Sequence, residues 1–145
     1  MAEEQGKPEP AEQQGAQPPA EAPVAAASAM DLKEVEEGKA FAVLSYVLSF
    51  LGLPFFLVPL IMRNNAFSLY HAKQCLMLWL VAIVGSAISV PLSVVCIGVV
   101  VALVVGIFCL VVNIIGLIGA AKGEAKPLPL VGKYAEEWFK GLTRA

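Results

Sequence analysis

VVCIGVVVALVVGIFCLVVNIIGLIGAA, residues 94–121, contains no charged side chain in 28 residues and places this chain among membrane proteins. A helix rises about 1.5 Å per residue and the hydrocarbon core of a bilayer is about 30 Å thick, so this run is long enough to cross a membrane. It is too short for two spans. The sequence therefore predicts one transmembrane helix here, tilted or extended at one end.

Two further apolar runs precede it. Residues 40–62 are uncharged but contain Pro54 and Pro59, which predict a helix that kinks near Gly52. Residues 72–90 stop before Pro91, where a tight turn reverses the chain. The predicted fold is all-α, an integral membrane bundle of three transmembrane helices at about 40–62, 72–90 and 94–121.

Charge divides the chain into two unlike parts. Residues 1–39 hold nine acidic and three basic side chains, whereas residues 40–145 hold three acidic and seven basic ones. The first part is rich in Pro, Gln and Ala and has too few large apolar side chains to form a core, so we predict a disordered acidic tail over 1–39. Residues 40–145 form the membrane domain. No basic patch is interleaved with aromatics, which excludes nucleic acid as a partner.

The segment after the third run differs from the spans. VGKYAEEWFKGL, residues 131–142, places Tyr134, Trp138 and Leu142 at helical spacing among lysines and glutamates. Aromatic side chains flanked by lysines suit the headgroup region, so the sequence predicts a C-terminal interfacial amphipathic helix over 131–143.

Basic residues predict the orientation. With three spans, the N-terminus and the 90–94 turn share one side, where only Lys33 and Lys39 lie near the membrane. The other side holds the remaining basic residues: Arg63, Lys73, Lys122, Lys126, Lys133, Lys140 and Arg144. We therefore expect a multi-pass protein of a cell membrane, in a bacterium the inner membrane, with a cytoplasmic C-terminus and an exported acidic tail.

Small residues recur along each predicted span at steps of three or four, which favours close helix packing in lipid. Asn113 lies deep in the third span, and its amide should bond to a serine across the bundle (Ser45, Ser49, Ser86 or Ser89). A pore lined by Asn113 and these serines is the alternative. The residues assigned to helix packing are Ser45, Ser49, Gly52, Gly85, Ser89, Gly98, Ala102, Gly106, Asn113 and Gly116.

Catalytic groups are scarce. His71 is the single histidine, and no HExxH, GxSxG or Gly-rich phosphate loop is present. We assign no catalytic residue, metal or cofactor, and predict that the protein is not an enzyme.

One polar segment opens the second predicted span, FSLYHAKQ at residues 67–74. Its lysine and tyrosine could reach lipid headgroups at the membrane edge. An interface anchor and a contact surface for a partner are both consistent with the pattern. The residues assigned to this edge are Phe67, Tyr70, His71, Lys73 and Gln74.

Four stretches carry a family resemblance: LSYVLSFLGLPFFLVPLI (44–61), FSLYHAKQ (67–74), NIIGLIGAAKGE (113–124) and PLPLVGKYAE (127–136). Together they resemble a bacterial family of small membrane proteins that is similar to the Tic-twenty component of chloroplast protein import and to the magnetosome membrane proteins MamF and MmsF. Where that family often has a proline before the Phe of FxxxHAKQ, this chain has Ala66. The resemblance implies a multi-pass membrane fold.

These observations favour a non-enzymatic membrane protein that packs with itself or with other membrane proteins in the lipid bilayer. It would act as a scaffold or accessory of membrane assembly or protein translocation. The alternative is an oligomeric channel or passive conductor.

Overall fold

A computed structural model describes residues 30–143, and this part of the chain is all-helical, as predicted. Most of the predicted disordered tail falls on residues 1–29, outside the described residues. Residues 32–39, which were assigned to that tail, are instead the first turns of a helix. The helices are α1 (Leu32–Phe50), α2 (Leu57–Met62), α3 (Ala66–Leu92), α4 (Ile97–Lys122) and α5 (Val131–Trp138), with a 3-10 turn at Ser93–Val95.

The two long helices α3 and α4 form an antiparallel hairpin. Of the residues that the structure describes, only Ala66–Val95 and Ile97–Lys122 form helices long and apolar enough to cross a membrane. At about 1.5 Å per residue, each reaches about 40 Å. The helices meet closely near the turn, because a Cβ on Gly98 would collide with the backbone carbonyl of Ser89.

The start of α3 differs from the predicted start at residue 72. Asn65 caps the helix, since its side-chain Oδ1 accepts a hydrogen bond from the backbone N–H of Ser68 at 2.9 Å. The helix therefore begins at Ala66 and includes the whole polar segment 67–74. It also runs through Pro91, which lies in its last turn.

The first apolar run is broken, so the prediction of one kinked helix over 40–62 is wrong. Gly52 adopts φ +80°, and its N–H bonds to the carbonyl of Ser49 at 3.0 Å. The N–H of Leu53 bonds to the carbonyl of Leu48 at 2.8 Å. These two bonds form a Schellman motif, which ends α1 and satisfies its last carbonyls.

After this motif the chain returns toward its starting point. The ring of Phe55 stacks on that of Phe41, with centroids 6.4 Å apart. The side-chain amide of Asn65 donates to the backbone carbonyl of Glu34 at 2.8 Å, so the start of α3 lies beside the start of α1. The N-terminus of α1 and the loop before α3 therefore share one end of the bundle, and the expectation that they lie on opposite sides is wrong.

The last described segment returns to the same end. A Cβ on Gly123, just after α4, would contact the side chain of Val35. The Gln74 amide donates to the backbone carbonyl of Lys126 at 3.2 Å. We call this the charged end: the start of α1, residues 63–65 and residues 122–143. The opposite turn end, residues 93–96, has no charged residue, and none occurs between Gln74 and Ala121.

This topology makes a prediction about labelling in sealed vesicles. Single cysteines are introduced at Glu36 or at Asn64 in a variant that lacks the native cysteines. Both should react with an impermeant thiol reagent from the same side. Native Cys96, which is exposed in the turn end, should react only from the opposite side. Labelling of positions 36 and 64 from opposite sides would contradict this topology and support the three-span prediction.

Candidate functional site

One buried tyrosine connects the three principal helices. Tyr46 of α1 is fully buried, and its hydroxyl oxygen lies 3.2 Å from Nδ1 of His71 on α3. Its backbone carbonyl accepts a hydrogen bond from the side-chain amide of Asn113 on α4 at 3.3 Å. Its ring lies against Gly116, where a Cβ would collide with it. We call Tyr46, His71, Gln74 and Asn113 the Tyr46 cluster.

The cluster reaches beyond the helices through Gln74. The Tyr46 hydroxyl lies 3.5 Å from Oε1 of Gln74, and the amide nitrogen of Gln74 donates to the carbonyl of Lys126. The hydroxyl has one proton, so it donates to either His71 or Gln74 at one time. The direction of the hydrogen bond with His71 depends on which ring nitrogen carries the proton. The cluster thereby holds residues 124–128 against α3.

The polar segment 67–74 faces inward on one side and outward on the other. Phe67, His71 and Gln74 are each at most 1% exposed. The rings of Tyr46, Phe67 and Tyr70 meet His71 edge-on. Of the five residues predicted at a contact edge, only Tyr70 and Lys73 reach the surface.

Asn113 has a different partner from the one expected. Its amide nitrogen donates to the Tyr46 carbonyl, and its Oδ1 is buried without a hydrogen-bond partner. Ser45 donates to the carbonyl of Phe41 and Ser89 to that of Gly85, whereas Ser49 Oγ has no hydrogen-bond partner among the described residues. The expected bond between Asn113 and a serine is therefore wrong.

The small residues of the spans have three different roles. Gly85, Gly98 and Gly116 lie where a Cβ would collide with a neighbouring helix, as the packing interpretation requires. Gly52 instead ends α1 and has no atom near its missing Cβ. Gly106 also faces open space, and Ala102 of the same helix is exposed.

A cleft of about 370 Å³ opens sideways between the end of α1, α3 and α4. It lies beyond the Tyr46 cluster, toward the turn end. Two of its polar atoms, Ser49 Oγ and Asn113 Oδ1, are buried without a partner. We call it the lateral cleft; its lining residues are Ser49, Phe50, Leu78, Trp79, Ala82, Gly106, Cys109, Leu110 and Asn113.

The C-terminal helix packs on the charged end of α3. Val131 and Ala135 of α5 are buried, and the hydroxyl of Tyr70 donates to Oε1 of Glu136 at 2.9 Å. Tyr134 and Trp138 are exposed on the outer face, at 54% and 66%. The helix is shorter than the predicted 131–143, and its position at a membrane surface stays a prediction.

No metal centre is evident in the part of the chain that the structure describes, where no three His, Cys, Asp or Glu side chains are grouped to hold an ion.

The charged end holds an ion pair between Lys126 Nζ and Glu124 Oε2 at 2.9 Å. The Lys126 ammonium, with a smaller contribution from Lys122, lowers the pKa of the Glu124 carboxyl.

The close contact between Tyr46 and α4 predicts the effect of two matched substitutions. Gly116→Ala should lower the free energy of unfolding by about 1–3 kcal/mol, because the added methyl group overpacks the Tyr46 ring. Gly106→Ala adds the same methyl group to the same helix in open space and should stabilise by about 0.5–1 kcal/mol. Denaturation of the purified protein in detergent measures both, and equal effects would contradict the Tyr46 contact.

Comparison with known proteins identifies the family. No curated protein and no solved structure matches the chain. The model of the MamF/MmsF family, described as the magnetosome magnetite crystal formation protein family, matches residues 37–135, which include every member of the Tyr46 cluster. A similarity to the Tic-twenty import component is not found among these matches. The chain belongs to the MamF/MmsF family of magnetosome membrane proteins.

Proposed function

We propose that this protein is a non-catalytic membrane scaffold that associates with a second copy of itself through the lateral cleft. In keeping with its family description, it would support crystal formation by organising the surrounding membrane. The observation that carries the proposal is Gly106, an exposed glycine in the middle of α4 that borders the cleft.

Gly106 serves no close contact within one chain. Within residues 30–143, no heavy atom outside its own helix lies within 4 Å of its missing Cβ. A glycine inside a helix costs roughly 1 kcal/mol relative to alanine, so such a residue needs a reason. In membranes, glycines allow the backbones of two helices to approach closely. A helix of a second copy resting on Gly106 and Ala102 supplies that reason.

The polar atoms of the lateral cleft also support a second copy of the chain as its occupant. Ser49 and Asn113 line the cleft, and the Ser49 hydroxyl and the Asn113 amide oxygen are buried without a hydrogen-bond partner among the described residues. In an isologous dimer each copy presents the same groups, so one donor and one acceptor are available from each side. Interhelical hydrogen bonds of this kind contribute about 0.6 kcal/mol each in membrane proteins.

The distribution of charge supports an orientation for this scaffold. All basic residues of the described chain lie in or next to the charged end, and the turn end has none. By the positive-inside rule we expect the charged end, with both the N-terminal start of α1 and α5, to lie on the cytoplasmic side. In this arrangement the acidic N-terminal tail does not need to be exported.

Two other roles stay predictions. An accessory role in protein translocation rests on the polar segment 67–74, of which only Tyr70 and Lys73 reach the surface. The channel alternative needs Asn113 and the serines to line a passage. In one chain, Asn113 and Ser45 donate to backbone carbonyls instead. Solute flux into liposomes that Asn113→Leu abolishes would favour the channel.

The scaffold proposal predicts a specific loss of self-association. Gly106→Leu should weaken association about tenfold or more, because its side chain occupies the space reserved for the second helix. Val104→Leu is the matched control, since Val104 is 60% exposed and lies on the opposite face of α4. Energy transfer between labelled copies in liposomes measures both. A wild-type protein that stays monomeric at high protein density, or equal association of the two variants, would contradict the proposal.

A further inference from the structure

A second cavity lies at the charged end, apart from the lateral cleft. It encloses about 170 Å³ between the last turns of α4, residues 124–128 and His71 of α3. Gly116 and Gly119 line it on the α4 side. A Cβ on Gly119 would make only an ordinary contact, 3.7 Å from the carbonyl of Glu124. The space is therefore not filled by the packing of the chain itself.

One buried polar atom faces this cavity without a partner. His71 is 1% exposed and lines the cavity, and its Nε2 has no hydrogen-bond partner. The backbone of Glu124 lies beside the His71 ring. The Tyr46 hydroxyl lies 3.2 Å from Nδ1, and in the tautomer in which it donates to Nδ1, Nε2 carries the proton. In that tautomer the cavity offers a buried donor and needs an acceptor.

Cationic side chains surround the opening. Lys122 and Lys126 line the cavity, and Glu124 forms an ion pair with Lys126. Two ammonium groups against one carboxylate leave one positive charge in excess at the opening. An acceptor that also carries negative charge, such as a phosphate group, matches both the opening and the His71 donor.

The apolar wall of the cavity indicates which kind of molecule would carry the phosphate group. Ile115 and Ile118 line the cavity and are 43% and 48% exposed, one to two turns before the end of α4. α4 is one of the two helices long enough to cross a membrane, and Lys122 is its last residue. The lysines therefore lie at headgroup level and the isoleucines at the level of acyl chains.

We propose that this cavity is a binding site for an anionic phospholipid. The headgroup phosphate lies between Lys122 and Lys126 and accepts a hydrogen bond from Nε2 of His71, and an acyl chain runs along Ile115 and Ile118. The site is independent of self-association, because none of its residues lines the lateral cleft.

The test uses the full chain in two steps. In the first, the purified protein is taken from vesicles containing phosphatidylglycerol into detergent, and the retained lipid is counted by native mass spectrometry. The double variant Lys122→Gln/Lys126→Gln should lose about tenfold in phosphatidylglycerol retention. Lys133→Gln/Lys140→Gln is the control, since it removes the same charge from exposed positions of the charged end outside the cavity and should retain the lipid.

The second step observes the donor directly. His71 is the only histidine of the chain, so nitrogen-labelled histidine gives the NMR signals of one imidazole. Addition of phosphatidylglycerol should shift the Nε2 signal in the wild type, and the shift should be absent in the lysine variant. Equal retention by both double variants, or a His71 signal that the lipid leaves unchanged, overturns the proposal. An equal shift with millimolar inorganic phosphate alone overturns the lipid as the source.

Discussion

The fold depends on the position of Tyr46. In lipid, apolar contact alone gives helices little reason to choose one arrangement, so close packing and buried hydrogen bonds decide between arrangements. Tyr46 supplies both at one point: its ring contacts Gly116, its hydroxyl lies beside His71, and its carbonyl accepts from Asn113. α1 is thus fixed to α3 and α4 through a single side chain and its own backbone. Tyr46 therefore fixes the register of α1 against α3 and α4, while Gly85 and Gly98 pack α3 and α4 against each other.

The end of α1 is the feature that hydropathy could not foresee. Residues 40–62 are long enough to span, and two prolines predicted a kink, yet the chain reverses at Gly52. Hydropathy measures whether a segment prefers lipid and does not record whether its backbone continues. The information lies in local chemistry: Gly52 adopts a left-handed conformation that ends the helix, and Pro54 cannot continue it. By contrast, α3 and α4 have no such interruption before their ends. The bounds of α4 were predicted to within three residues, whereas α3 begins six residues before its predicted start.

The inward face of segment 67–74 was readable in part from spacing. Phe67, His71 and Gln74 recur at steps of four and three, which places them on one side of a helix. A polar face at the start of an apolar span is equally consistent with contact to lipid headgroups and with a buried cluster. What decides between these is the presence of Tyr46 opposite the face, together with the return of residues 124–128, and neither is encoded within the segment. For the same reason Asn113 was correctly expected to need a partner, but the partner could not be identified.

The reversal of α1 also explains why the two ends of the bundle differ. α1 ends near the middle of α3, since Ser49 lines the same cleft as Leu78 and Trp79. The charged-end half of the α3–α4 hairpin is therefore covered by α1 and the C-terminal segment, and holds most of the buried polar groups. Of the described residues, only two helices form the other half, and Ile88, Val100 and Val104 there are at least half exposed. Two helices cannot bury each other on all sides, so this half depends on lipid or on a neighbouring protein. Gly106 lies at the boundary between the covered half and the uncovered half of the hairpin. A further helix adds the most contact with α3 and α4 at this boundary.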